Sequence, residues 1–183
     1  YTLNWVNFPF GTKYHESEKN SNGDLVTGID HCIQVIKDDN ASKDDKAFYL
    51  KMLVHFIGDL HQPLHVGRAE DRGGNNIEVT WFGRPTNLHR VWDTDMLNEY
   101  NMSYTELADN VKPLSKEEVH QLQQGTIMNW VYESQEISKL VYASAENGDD
   151  LRYRYMYDYF GLLHDQIQKG GIRLAVVLNE IFD

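Results

Sequence analysis

Residues 42–67, SKDDKAFYLKMLVHFIGDLHQPLHVG, decide how this chain folds. Ser42, with Asp45 three residues on, marks a helix start, because its hydroxyl can accept from a backbone N–H left without a helical partner. Ala47, Leu50, Leu53, Val54 and Ile57 recur at helical spacing and predict a helix running to Asp59 with that stripe in the core. Pro63 should prevent its continuation. His55 and Asp59 are four residues apart, so they share one face of this helix and look toward a cleft.

Working outward, residues 72–76 (RGGNN) read as a turn, and IEVTWFG (77–83) alternates as a short strand, half of a small hairpin. NLHRVWD (87–93) then repeats the earlier device, placing His89 and Asp93 four apart on a short helix spanning about 87–97. A lone histidine on a helix is more often packed or solvated than ligating. Two such pairs, with His65 between them, make a divalent metal site the stronger reading. Nitrogen and oxygen donors without a thiolate favour zinc with open coordination positions, as catalytic sites have. His61, in the same run, reads as a packed, hydrogen-bonded histidine.

The remaining chain is mostly helical. Leu25, Ile29, Cys32, Ile33 and Ile36 form a helical stripe over 23–37. Ser115 and Glu118 match a capping box. From there the apolar spacing to Val141 predicts one long helix, kinked near Gly125. A break at Asn147-Gly148 precedes a Tyr-rich helix. Its Tyr153, Tyr155, Tyr157 and Tyr159, spaced by two, cannot all face one ligand and read as packing and surface. A last helix over 171–182 is expected to follow a Gly170-Gly171 turn. The expected fold is all-α, one helical domain over 1–183 with a small β-hairpin.

Composition narrows the function classes. With 41 % hydrophobic and 12 % aromatic residues among 183, the chain can bury a continuous core. Apolar runs such as LAVVLNEIF are too short to span a bilayer, so no membrane partner is expected. A net charge of −11 excludes an extended basic face for nucleic acid, yet not a local metal centre that holds one phosphate. The one cysteine, Cys32, cannot form an internal disulfide. The chain opens at Tyr1 inside an already patterned segment, as a mature or truncated piece of a longer protein would.

HFIGDLHQPLHVG, the D-x-GGN-x-I-x-V that follows, NLHRVWD, NWVYESQEI and GGIRLAVVLNEIF occur in one order along the chain. That series resembles the zinc-dependent single-strand-specific nucleases, the family of mung bean nuclease and plant type I nucleases, which share a helical fold with bacterial zinc phospholipase C. The resemblance implies three zinc ions in the complete protein. His55 and Asp59 would hold one, with Asp59 bridging to a neighbour and so serving as the catalytic carboxylate, and His65, His89 and Asp93 would hold a separate ion. It implies hydrolysis of single-stranded RNA and DNA to 5′-phosphorylated products, 3′-nucleotidase activity, a monomer, and a secreted or periplasmic location.

By the same resemblance Trp5 would stack on a nucleobase and Asn7 would contact it. Base stacking on an aromatic tolerates any sequence and favours single strands. Trp5 as an ordinary core aromatic stays open. Further ligands of the family (an N-terminal Trp, a nearby His, an Asp) lie upstream of any segment present here. Asn4 stands where a ligating His normally heads the motif around Trp5. Those departures keep two alternatives in view: a phospholipase C, and a zinc-binding member with impaired catalysis.

Overall fold

The computed structural model describes Leu3 and residues 5–183; Asn4, with its expected ligand position, lies outside the described residues. Helix α1 (Leu25–Lys37) starts at Asp24, whose side chain accepts from the Thr27 amide while Thr27 returns a bond to the Asp24 backbone. Helix α2 (Lys43–Leu60) starts at Ser42, which accepts from the Asp45 amide as its sequence predicts. The two helices meet where Gly28 lies against Phe56; a Cβ on Gly28 would come within 3.1 Å of that ring.

After α2 a 3₁₀ turn, Pro63–Val66, carries the chain away. Strands β1 (Glu78–Trp81) and β2 (Arg84–Asn87) pair antiparallel with Trp81 opposite Arg84. Phe82 and Gly83 form the two-residue turn with φ of 51° and 75°, the left-handed pair that matches strand twist. The expected hairpin is present, and a third strand, β3 (Asp150–Leu151), adds to β1 in parallel.

Helix α3 (residues 88–100) is built from Leu88–Arg90, a wide π turn at Val91–Asp95, and Met96–Tyr100. A short α4 (Tyr104–Asp109) follows, capped by Ser103 and Glu106. The long helix expected after Ser115 is instead two, α5 (Lys116–Gln123) and α6 (Ile127–Tyr142). Gly125, at φ 96°, turns the chain, and Thr126 with Asn129 forms a new capping box. The expected turn at Gly170-Gly171 is absent: α7 runs unbroken from Tyr153 to Phe182. Its buried positions include Leu163, Gln166, Gly170, Arg173 and Val177, a three-four spacing that extends one face through both glycines.

Two apolar clusters form the interior. One gathers α1, α2 and parts of α6 and α7 around Ile29, Phe56 and Trp130. The other gathers the sheet, α3 and the first half of α7 around Trp81, Trp92 and Val141. The Pro63–Val66 turn stitches them together, with Leu64 buried in the second and Val66 in the first. His65 sits between these two anchors.

Candidate metal centre

Asp59 lies one helical turn after His55, with His55 Nε2 3.2 Å from Asp59 Oδ2. The pair is unevenly buried, the side chains being 51 % and 13 % exposed respectively. His65, held by the anchors of the 3₁₀ turn, puts Nδ1 3.7 Å from Asp59 Oδ1 and Nε2 3.5 Å from Asp93 Oδ1. His89 Nε2 lies 3.3 Å from Asp93 Oδ2. His89 and Asp93 straddle the entry to the π turn, where four residues nearly complete a turn and bring the two side chains together.

The backing of His89 fixes its chemistry. Its Nδ1 is 2.8 Å from the Gly73 carbonyl, which can only accept, so Nδ1 carries a proton and Nε2 is the nitrogen turned toward Asp93, donating to it when protonated and open to a metal when not. The loop that offers this carbonyl cannot be built otherwise. A Cβ on Gly73 would sit 2.3 Å from the Leu64 carbonyl oxygen, and Gly73 has φ 64°. Asp71 accepts from the Gly74 amide at 2.8 Å and from the Tyr142 hydroxyl at 2.7 Å, tying the loop to α6.

One donor atom from each of His65, His89 and Asp93 falls within 4.8 Å of the others. Each histidine faces its own Asp93 oxygen, His65 Nε2 at 3.5 Å from Oδ1 and His89 Nε2 at 3.3 Å from Oδ2, so the donor types and their proximity suit a zinc ion. Burial pushes the Asp93 carboxyl up, but hydrogen bonds and charge from His65 and His89 outweigh it and hold Asp93 well below the usual range. Asp59 is raised, chiefly by burial. Gln62, which the sequence reading passed over, donates Nε2 to Asp93 Oδ1 at 2.8 Å and accepts from the Leu64 amide at 2.6 Å. Its position ahead of Pro63 was the available signal, since such a residue caps the turn that Pro opens.

Trp5 is half-buried and lies over His89, ring centroids 5.4 Å apart at 28°. The Val6 amide donates to the His65 carbonyl at 2.9 Å, pinning this segment to the centre. Trp5 and Asn7 line one wall of a cleft of about 1030 Å³. Asn7 Oδ1 is buried with no hydrogen-bond partner among the described residues. On the other side, a cavity of about 290 Å³ opens beside Asp59, Gln62 and Asp93, walled by apolar side chains of α2, α3 and α7.

His61 is a core residue, as read from the sequence. Its Nδ1 donates to the Ile57 carbonyl at 2.7 Å and its Nε2 accepts from Arg173 at 3.1 Å. Burial, with the Arg173 charge, pushes its pKa down to about 4. Arg173 in turn pairs with Glu133. Of the four tyrosines, Tyr155 is buried and accepts from the Trp92 indole at 2.9 Å, while Tyr153 and Tyr157 are exposed.

The whole pattern has a match. A family model described as S1/P1 Nuclease covers residues 2–183. This chain belongs to the S1/P1 nuclease family. The proteins of that family are hydrolases of phosphodiester bonds. Among its relatives, Endonuclease 2 of Arabidopsis thaliana is 30 % identical over 98 % of this chain and 71 % of its own length. Endonuclease 4 of the same plant is 33 % identical over 96 % of this chain and 66 % of its own. Nuclease P1 of Penicillium citrinum is 31 % identical over 91 % and 70 % respectively. The chain therefore spans about two thirds of the length of these relatives. No helix among the described residues is long and apolar enough to cross a membrane.

Proposed function

We propose that the protein is a zinc-dependent endonuclease that hydrolyses single-stranded RNA and DNA to 5′-phosphorylated products, and removes 3′-phosphates at the same centre. The observation that carries this reading is the convergence of His65, His89 and Asp93 beside an aromatic ring, Trp5, that stacks on His89 and lines a large cleft. His65, His89 and Asp93 would hold one ion; His55 and Asp59 are donors for a neighbouring one. Zinc, when bound, supplies Lewis acidity and a nucleophilic water near neutral pH.

The rest is positioning by the chain. The Gly73 carbonyl holds the proton on His89 Nδ1, so Nε2 is always the donor atom. Gln62 fixes one Asp93 oxygen and leaves the other facing His89. Asp59, facing both His55 and His65, is the carboxylate that can serve two neighbouring ions. Trp5 offers a π face to an unstacked base, which a duplex does not present. Asn7 lines the same cleft and is the polar side chain beside Trp5 that would contact the base.

The test is zinc-loaded protein incubated with single-stranded DNA, single-stranded RNA, duplex DNA and a choline phospholipid. Cleavage of both single strands in preference to duplex, stopped by a chelator and restored by zinc, is expected. Release of choline phosphate with the strands left whole would replace this reading by a phospholipase C.

A further inference from the structure

The loop that supports His89 carries two arginines in opposite circumstances. The Arg68 guanidinium lies 4.4 Å from the Tyr142 ring centre and 5.3 Å from that of Phe10, so packing against two rings accounts for it. Arg72 is exposed and makes no ion pair, ring contact or side-chain hydrogen bond among the described residues. Its backbone is costly as well. Arg72 has φ 57°, a left-handed conformation that glycine adopts without strain. The conformation is locked from both sides, by the Arg72 amide donating to Ala69 at 3.1 Å and the Arg72 carbonyl accepting from Asn75 at 2.8 Å. Nothing in the packing accounts for a guanidinium at this place.

Its surroundings supply a reason. Arg72 lines the same large cleft as Trp5 and Asn7, and its neighbour Gly73 is the residue that orients His89. The carboxylates on that cleft are Glu16, Glu18, Asp24 and Glu70, and its other cation, Lys19, is already bound to the Tyr14 carbonyl and the Ser17 hydroxyl. In a chain of net charge −11, and on a cleft whose carboxylates outnumber its cations, Arg72 is the cation left open to an incoming strand among the described residues lining it. Arginine offers a planar fork of N–H donors that matches a phosphate bidentately.

We propose that Arg72 holds a second phosphodiester of the strand, next to the one at the metal centre, so that the cleft selects substrates with two or more phosphodiesters. This rests on the nuclease reading above and adds the residue that recognises strand length. Binding here is by contact rather than by long-range steering, because one cation is set among carboxylates.

The experiment compares wild type, Arg72→Gly and Arg72→Lys on pentathymidylate and on bis(4-nitrophenyl) phosphate, which has a single phosphodiester. Glycine suits the backbone, so Arg72→Gly should melt no lower than wild type. The ratio of kcat/KM for the strand to that for the small diester should fall roughly ten-fold in Arg72→Gly, with the change in KM, and recover in part in Arg72→Lys. The dependence of log KM on log salt should flatten by about 0.7. An unchanged ratio, or equal losses on both substrates, overturns the role. If zinc-loaded wild type cleaves neither compound, the nuclease reading fails by itself. Fluorescence anisotropy of labelled pentathymidylate on metal-free protein then decides Arg72: weaker binding by Arg72→Gly supports it, and equal or absent binding overturns it.

Discussion

His55–Asp59 and His89–Asp93 have the same spacing in sequence and different surroundings in the fold. His89 is nearly enclosed, keyed by the Gly73 carbonyl, joined by His65, and set against a π turn that brings Asp93 beneath it. His55 stands half exposed on a regular helix, and Asp59 borders an apolar cavity. Four-residue spacing puts two donors on one face in both cases. What distinguishes them is the non-helical backbone. A 3₁₀ turn delivers the third donor and a glycine loop fixes the tautomer on one side only. A donor pair read from helix period supplies two ligands; the turns beside it decide whether a third donor joins them.

The largest effect that can break this comparison is on metal retention. His89→Ala removes a donor from the three-residue group, and its zinc affinity should fall by more than the roughly 10–100-fold that losing an outer partner of a ligand costs, with nuclease activity falling alongside. His55→Ala leaves that group whole, so one zinc should survive extensive dialysis. Metal analysis of both variants beside wild type checks this. Equal zinc loss in the two would mean the sites do not differ in the way their geometry implies.

Much of this was legible, and the failures share a physical character. Helix α2 was marked by its cap and its stripe, and both donor pairs followed from helical period. Pro63 marked the end of that helix, while the grouping of His65 with His89 and Asp93 came from the family resemblance rather than from spacing. The parallel strand β3 was not legible, because two residues carry no period and their pairing with β1 spans some seventy residues of chain. The π turn was invisible for a related reason, since one extra residue in a turn leaves the composition of a helix unchanged. Helix α4 could have been found from Ser103 and Glu106, the same signature recognised at Ser115 and Glu118. Gly125 was noticed as a kink, but Thr126 with Asn129 turns the kink into a fresh helix start. Gln62 was missed because its role lies in reaching across to Asp93, a partner 31 residues away.

A smaller effect tests the support behind the His55–Asp59 side. There α2 is fastened to α6 and α7 through His61, Arg173 and Glu133 rather than through a loop. His61 is neutral in the folded protein down to about pH 4, whereas its ordinary value is 6.5. The unfolded chain therefore binds the extra proton first as pH falls. Stability from this group is fully present above about pH 6.5 and is lost as pH falls toward 4, amounting to about 2–3 kcal/mol. Urea unfolding midpoints of metal-free protein at pH 7 and pH 4.5 measure it. His61→Gln should show a shallower loss over that interval, and an identical slope would mean the histidine is not buried neutral.

The smallest effect concerns the helix that walls the cavity beside Asp59. A Gly-Gly pair ordinarily signals a turn, but here Gly170 and Gly171 continue α7, and the two serve different ends. Gly170 faces His61, where a Cβ would meet the ring at 3.4 Å, so its smallness lets α7 approach α2. Gly171 is exposed, and a Cβ there would meet nothing within 4 Å. Alanine is favoured over glycine in a helix interior by about 1 kcal/mol, through backbone entropy lost on folding. Gly171→Ala should therefore raise the melting temperature by roughly 2–4 °C in a chain of this size. Gly170→Ala should gain less, since part of the helical preference is spent on contact with the ring. Were the chain turning at this pair, alanine at Gly171 would instead lower the melting temperature. The difference between the two variants would then report on a hinge in α7 rather than on the tight packing that holds His61, and with it the end of α2, in place.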